Sequence, residues 1–365
     1  MVIKRLEYKD VIGIAAMEGR GFYYPVDVAV APDDKLFVLG RSHDGDARGV
    51  QILKCDIESE YYGIFGSYGS GDGQFIWPTS IAIDSDGLIY VTDEYLNRIS
   101  IFDQKCQFIK KWDSSNDQNI GLIKPAGIVK ASEKISEQRD SSNDQNIELT
   151  KPAGIAIDSE KFVWIVDSQE NNIKRFTPNG QCVLKFGNLG GGPGEFQMPW
   201  GIAVSDADDV YVADWGNNRI QRFTSQGAFI GEYGNNSDVS SDNLSKPSDV
   251  SVDSQGYMYV TDWGNHRLQV LSSDGELIQN FRGNAGISKW AQEFLDSNPD
   301  ENIARSGADL EPDLMENDWD LHEQSYHTEK FFWSPISVEN YHDDLVIVVD
   351  RNRHRMQILK INRHT

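Results

Sequence analysis

Six prolines set the period of this chain. Pro25, Pro78, Pro152, Pro199, Pro247 and Pro335 each open a stretch of the same design. Asp93, Asp167, Asp214, Asp262 and Asp350 lie 15 residues after their proline, and Gly40 holds that place in the first unit. Arg98, Arg219, Arg267 and Arg355 lie 20 residues after theirs. Self-similarity at a fixed spacing marks repeated supersecondary units, none of which buries its apolar surface without neighbours. The unit from Pro199 to Gly234 holds four short apolar runs, GIAV, VYVA, RIQRF and AFIGEY. Polar or glycine-bearing turns separate them, which predicts a four-stranded antiparallel meander. The first two runs hardly alternate, as strands covered on both faces do not.

The unit P-x-G/D-I-A-V-D, then V-Y-V-A-D-x-x-N-x-R-I-Q-x-F and a closing glycine, resembles the NHL repeat. The resemblance spans nearly the whole chain. It implies an all-β, six-bladed β-propeller of four-stranded antiparallel blades, formed as one domain over 1–365. It implies less about function. NHL-type propellers include protein-binding and RNA-binding modules, and similar propellers serve as lyases and lactonases. Amidating lyases that resemble this fold carry a zinc-bound histidine directly after a blade-opening proline. Here those places hold Val26, Thr79, Ala153, Trp200, Ser248 and Ile336, none of them histidine. The RING that accompanies some animal NHL propellers would need many more cysteines than this chain has.

Composition narrows the partners. The formal charge is −23 over 365 residues, which argues against nucleic acid, since phosphate binding needs a basic footprint. The same charge argues against an anionic membrane surface. Cys55, Cys106 and Cys182 are far apart and no CxxC occurs, so neither a disulfide framework nor a zinc-cysteine site is expected. No apolar run approaches ~18 residues and no signal-like segment opens the chain, which points to a cytoplasmic monomer.

Three features depart from the repeat. The last unit stops after its third strand, so residues near 5–16 are expected to supply the missing outer strand, paired around Arg355 to Leu359. The motifs DSSNDQNI and KPAGI each recur at an offset of 27 within 113–155. The first copy has lost its apolar pattern and reads as a duplication looped out over 113–151. Finally, residues 284–333 carry 12 Asp or Glu against 3 Lys or Arg. Their SKWAQEFLDS stretch predicts a short helix with Ser288 as N-cap, and Trp319 with the FFW at 331–333 is expected to anchor the rest. The duplication, this acidic insertion and the expanded loop 41–49 all use connections on one face. Insertions on one face often mark the binding face of a repeat fold, so a lid or docking surface is expected there.

Candidate site residues follow from the register. Asp27 and Asp249 stand two after their prolines, near the mouth of a central channel, where carboxylates suit a cation or a ligand hydroxyl. Capping of the inner strand ends is the plainer role. Tyr95, Trp215 and Trp263 fall in turns between second and third strands, and would form a rim able to stack on a ligand or pack beneath the insertions. His266 and His354 share one turn position in adjacent units, either as ligand contacts or as solvent-exposed turn residues. The Asp and Arg registers read as a pair that fixes the turn. No cofactor is required by any motif, although a divalent cation at the channel mouth fits the carboxylates. These features together favour a non-catalytic recognition module binding a protein or small ligand. The alternative is a metal-assisted lyase or hydrolase at the same mouth.

Overall fold

The computed structural model describes residues 3–17, 19–43, 47–113, 149–234, 242–312 and 320–364. Most of the 113–151 duplication and Trp319 lie outside the described residues. Six four-stranded antiparallel sheets are arranged around a ring. Blade one holds Pro25–Val30, Leu36–Gly40, Ile52–Cys55 and Tyr61–Phe65 from inside to outside. Blades two to five open with inner strands Pro78–Ile83, Pro152–Ile157, Ile202–Val204 and Pro247–Val252. Blade six takes three strands from the end of the chain, beginning at Pro335–Tyr341. Its outer strand is Ile3–Ile12, which pairs antiparallel with Arg355–His364 in the register Leu6 to Ile361 and Val11 to Gln357. The expected closure by the amino-terminal strand is therefore what the chain does.

The local chemistry repeats with the strands. Between first and second strands an aspartate accepts two downstream backbone N–H groups. Asp84 takes those of Asp86 and Leu88. Asp158 takes those of Glu160 and Phe162, and Asp253 those of Gln255 and Tyr257. Such side-chain turns are what Asp does best outside regular structure. Second strands are buried along their whole length, for example Val210–Asp214 and Met258–Asp262. Each packs into a core shared between two blades. Tyr211, Ala213 and Ile220 of blade four meet Val250, Met258 and Val260 of blade five. The residue three before each proline is also buried: Phe22, Phe75, Leu149, Phe196, Leu244 and Phe332.

Two faces result. One carries the turns between second and third strands and the links between blades, and is called the link face below. The other carries the remaining hairpins. The acidic insertion starts on the link face but does not stay there. Helix α1, Lys289–Ser297, is capped by Ser288, whose hydroxyl accepts the Ala291 N–H. It drives Trp290 into the seam between blades six and one, beside Ile12, Phe22, Leu36 and Ile347. Trp290 Nε1 donates to the carbonyl of Ser59, in an outer hairpin of blade one, at 2.8 Å. Helix α2, Pro299–Ser306, turns back beside α1, and α3, Leu321–His327, lies by the link face. The expectation of one lid over that face is thus corrected: part of the insertion is a wedge in the ring's seam, because Trp290 finds its apolar partners there. Phe332 of the FFW is fully buried between blades five and six.

Candidate functional site

The Asp and Arg registers serve the links. Each aspartate accepts the N–H of the residue two before a proline: Asp93 from Ile76, Asp214 from Gln197, Asp262 from Ser245, Asp350 from Trp333, at 2.7 to 2.8 Å. Arg219 Nε donates to Asp214 at 2.9 Å, and its terminal nitrogens reach the carbonyls of Gly191, Gly192 and Glu195. Arg98 likewise donates to the carbonyls of Ser70, Gly71 and Gln74. One guanidinium therefore ties a turn to the irregular link, satisfying carbonyls that no strand could.

The position before each arginine is left-handed. Asn97, Asn171, Asn218, His266 and His354 have φ between 50° and 55°, a region that Asn and His tolerate better than most residues. Their side chains then bridge to the next blade. Asn171 Oδ1 accepts the Met198 N–H and Asn218 Oδ1 that of Lys246, both at 2.8 Å. His266 Nδ1 accepts the Ser334 N–H at 3.2 Å, and His354 Nδ1 that of Tyr24 at 3.0 Å. Each of these four donors stands directly before a blade-opening proline. Accepting at Nδ1 puts the imidazole proton on Nε2, from which His266 donates to His322 Nδ1 at 3.2 Å. Burial holds both rings near pKa 4, helped by His322 and Arg282 at His266 and by Arg351 at His354. The two histidines are neutral staples between blades, not side chains standing in solvent.

Asp27 and Asp249 do a related task at the inner strands. Asp27 Oδ2 accepts from Ser80 Oγ at 2.6 Å and from the Ile81 N–H at 2.8 Å, while Ser337 Oγ donates to Oδ1. Asp249 Oδ2 accepts the Val338 N–H at 3.0 Å. Each therefore bridges to the inner strand of the following blade. Burial raises the pKa of Asp27 against the pull of those donors. Burial and then the Asp27 charge push Asp249 well above the usual carboxylate range. Glu339 follows, raised by burial and by both aspartates.

The channel around these carboxyls is asymmetric. Towards the link face it narrows to about 20 Å³ between Asp27, Trp200, Gly201 and Ser337, room for one water. The glycines of blades three and four allow this closeness. A Cβ on Gly154 would come within 2.5 Å of the Trp200 carbonyl, and one on Gly201 would overlap Asp249. Below that level the channel widens to 320 Å³ and runs to the opposite hairpins at Asp206, Ser254 and Asp343. Among the described residues, no group of three His, Cys, Asp or Glu is placed to hold a metal ion.

The aromatic candidates stand around the narrow end in two patches. Tyr95 meets Trp77 edge-on at 5.2 Å, Arg41 lies over Trp77 at 5.5 Å, and Glu94 binds Arg41 and Lys151. Tyr95 is 45% exposed and Trp77 38%. Trp215 and Trp263 are 6.3 Å apart, with Lys246 Nζ 4.9 and 5.9 Å from their rings. Such cation–aromatic stacks add to apolar contact. The structure thus brings Trp215 and Trp263 together, keeps Tyr95 apart from them, and sets His266 and His354 beneath other contacts. Sequence reasoning did not single out Arg41, Glu94 or Lys246. Their signal was positional: Lys246 directly precedes Pro247, and Arg41 directly follows Gly40.

A closed ring of six four-stranded blades, tied link by link, defines a β-propeller. The chain carries NHL repeats: the family's pattern matches residues 75–102, 196–223 and 244–271. Each match begins at the buried residue three before the proline and ends with the third strand. Among solved structures, a streptogramin B lyase aligns with a TM-score of 0.52 at 12% identity, covering 99% of this chain and 98% of that one. A catalytically inactive virginiamycin B lyase from Staphylococcus aureus, bound to quinupristin, gives 0.52 at 13% identity, with 98% and 99% covered. A protein of unknown function from Bacteroides thetaiotaomicron gives 0.59 at 12% identity, covering 99% of this chain and 77% of that one. At these identities the likeness is one of fold alone. No curated protein matches the chain in sequence.

Proposed function

We propose that this chain is a non-catalytic recognition module that engages a protein partner through its link face. The observation that carries this reading is the pairing of a mouth of about 20 Å³ with two exposed cation–aromatic patches beside it. Such a mouth leaves no room for a substrate on that face, since small-molecule pockets run to ~300 Å³ or more. Aromatic and arginine side chains are the residues that carry binding energy at protein interfaces. The Trp77, Tyr95 and Arg41 patch and the Trp215, Trp263 and Lys246 patch present that combination on a rigid ring. Asp27 and Asp249 serve as ring ties in this reading, and His266 and His354 as blade staples.

The test compares Tyr95→Ala/Trp77→Ala and Trp215→Ala/Trp263→Ala with an outer-strand control, Ile64→Ser/Ile230→Ser. Proteins recovered by the intact chain are expected to be lost with either link-face variant and kept with the control. Equal recovery by all three, with circular dichroism unchanged, would move the interface off this face. A gain or loss of bound metal that tracked Asp27→Asn would instead favour the enzyme reading.

A further inference from the structure

The α1–α2 pair roofs a cavity of 290 Å³ against blade six and the segment that follows the amino-terminal strand. One wall is apolar: Val11, Ile14, Ile287, Phe294 and Leu295. Phe294 and Ile287 are 46% and 37% exposed, so this wall is only partly covered by protein. The other wall holds Arg305, Arg353, Arg355 and Glu329. Glu329 is taken up by Arg305, which grips it through two hydrogen bonds of 2.7 and 2.6 Å. Arg355 donates to Asp350 at 2.9 Å and to the carbonyls of Glu329 and Phe331.

Arg353 differs from both. Its Nη2 donates only to neutral carbonyls, those of Ser325, Tyr326 and Thr328. Its Nε–H is buried and has no acceptor among the described residues. Three guanidiniums thus face two carboxylates, Glu329 and Asp350, and one positive charge stays without a counter-ion in contact. A buried charge in that condition is costly, and a carboxylate relieves it best, because a guanidinium edge matches it side-on. The apolar wall asks for a tail on the same ligand. At ~30 Å³ per water-sized group, the cavity holds roughly ten non-hydrogen atoms. We propose that this cavity binds a medium-chain monocarboxylate, with its head on the Nε edge of Arg353 and its tail between Ile287, Phe294 and Leu295. The site is independent of the link-face patches.

Titration calorimetry of the full chain with octanoate tests this, with octylammonium and acetate as matched probes. Octanoate is expected to bind, and acetate and octylammonium at least tenfold more weakly, since one lacks the tail and the other the charge. Arg353→Met is expected to weaken octanoate at least tenfold while leaving the fold intact. Ala291→Phe, which fills the cavity from the helix and leaves Arg353 in place, is expected to abolish binding, and decides the matter should Arg353→Met fail to fold. No binding at millimolar octanoate, equal binding of octylammonium, or unchanged binding by Ala291→Phe would each overturn the proposal.

Discussion

At the scale of single residues, one position does the same work with two chemistries. The left-handed residue before each arginine must accept the N–H that precedes the next proline. Asn171 and Asn218 use an amide oxygen, whereas His266 and His354 use Nδ1. Only the neutral imidazole accepts. The folded histidines titrate near 4, against about 6.5 in the unfolded chain. The unfolded state therefore takes up protons first as pH falls, and stability is lost between about 6.5 and 4. His266→Asn/His354→Asn keeps both the backbone conformation and the acceptor. Between pH 7 and 5 it is expected to lose less stability than the parent, by on the order of 1 kcal/mol per histidine, discounted for their partial exposure. Parallel urea titrations at the two pH values check it, and identical slopes for both proteins would refute the staple. The carboxyls at the channel carry the opposite sign. Asp249 and Glu339 are raised in the fold, so their contribution is present at low pH and lost as pH rises through the folded values. Asp249→Asn is thus expected to raise the melting temperature at pH 8, with the gain shrinking towards pH 4. A variant less stable than the parent at pH 8 would show that the charge itself is needed.

At the scale of elements, the repeat was readable and its interruptions were not. A spacing of 15 residues from proline to aspartate is one inner strand, one hairpin and one second strand, so the sequence register is the strand register. That is why Pro247 pairs with Asp262 and Pro335 with Asp350. The α1 helix was legible too, from Ser288 and the apolar spacing after it. Its destination was not. Trp290 has no counterpart in the other units, and its partners, Phe22 and Ile347, lie far away in the chain. The width of the channel was equally hidden, because it depends on how closely Gly154 and Gly201 let the next strand approach. The wedge has a measurable weight. Trp290 is 1% exposed and hydrogen-bonded, so Trp290→Ala is expected to cost about 3–5 kcal/mol. Phe294→Ser, one turn on and half exposed, is expected to change stability by less than ~0.5 kcal/mol. Similar losses for both in chemical denaturation would mean that α1 packs as a whole, without a single anchor.

At the scale of the molecule, closure decides whether six blades act as one body. In a linear array of blades the first and last would each leave an apolar face open, and stability would be a sum of neighbour terms. Here the seam between blades six and one is filled like the others, by Ile12, Phe22 and Trp290 against Val28, Val38 and Val349. The outer strand of blade six comes from the opposite end of the chain, so opening the seam means stripping Ile3–Ile12 from Arg355–His364. That strand also covers an edge that would otherwise offer unpaired backbone groups to other molecules. Removing residues 1–12 is therefore expected to lower the melting temperature by more than about 10 °C, since Leu6, Val11 and Ile12 leave the core together. It is also expected to cause self-association through the exposed edge at Met356–Ile361. A peptide of residues 1–16 added in trans should restore both the melting temperature and the monomer, by binding the folded ring but not the unfolded chain. Rescue that depends on peptide concentration separates strand closure from a general loss of core. A truncated protein that melts like the intact one, or that the peptide does not stabilise, would show that the ring is held by its other five blades and the Trp290 wedge alone.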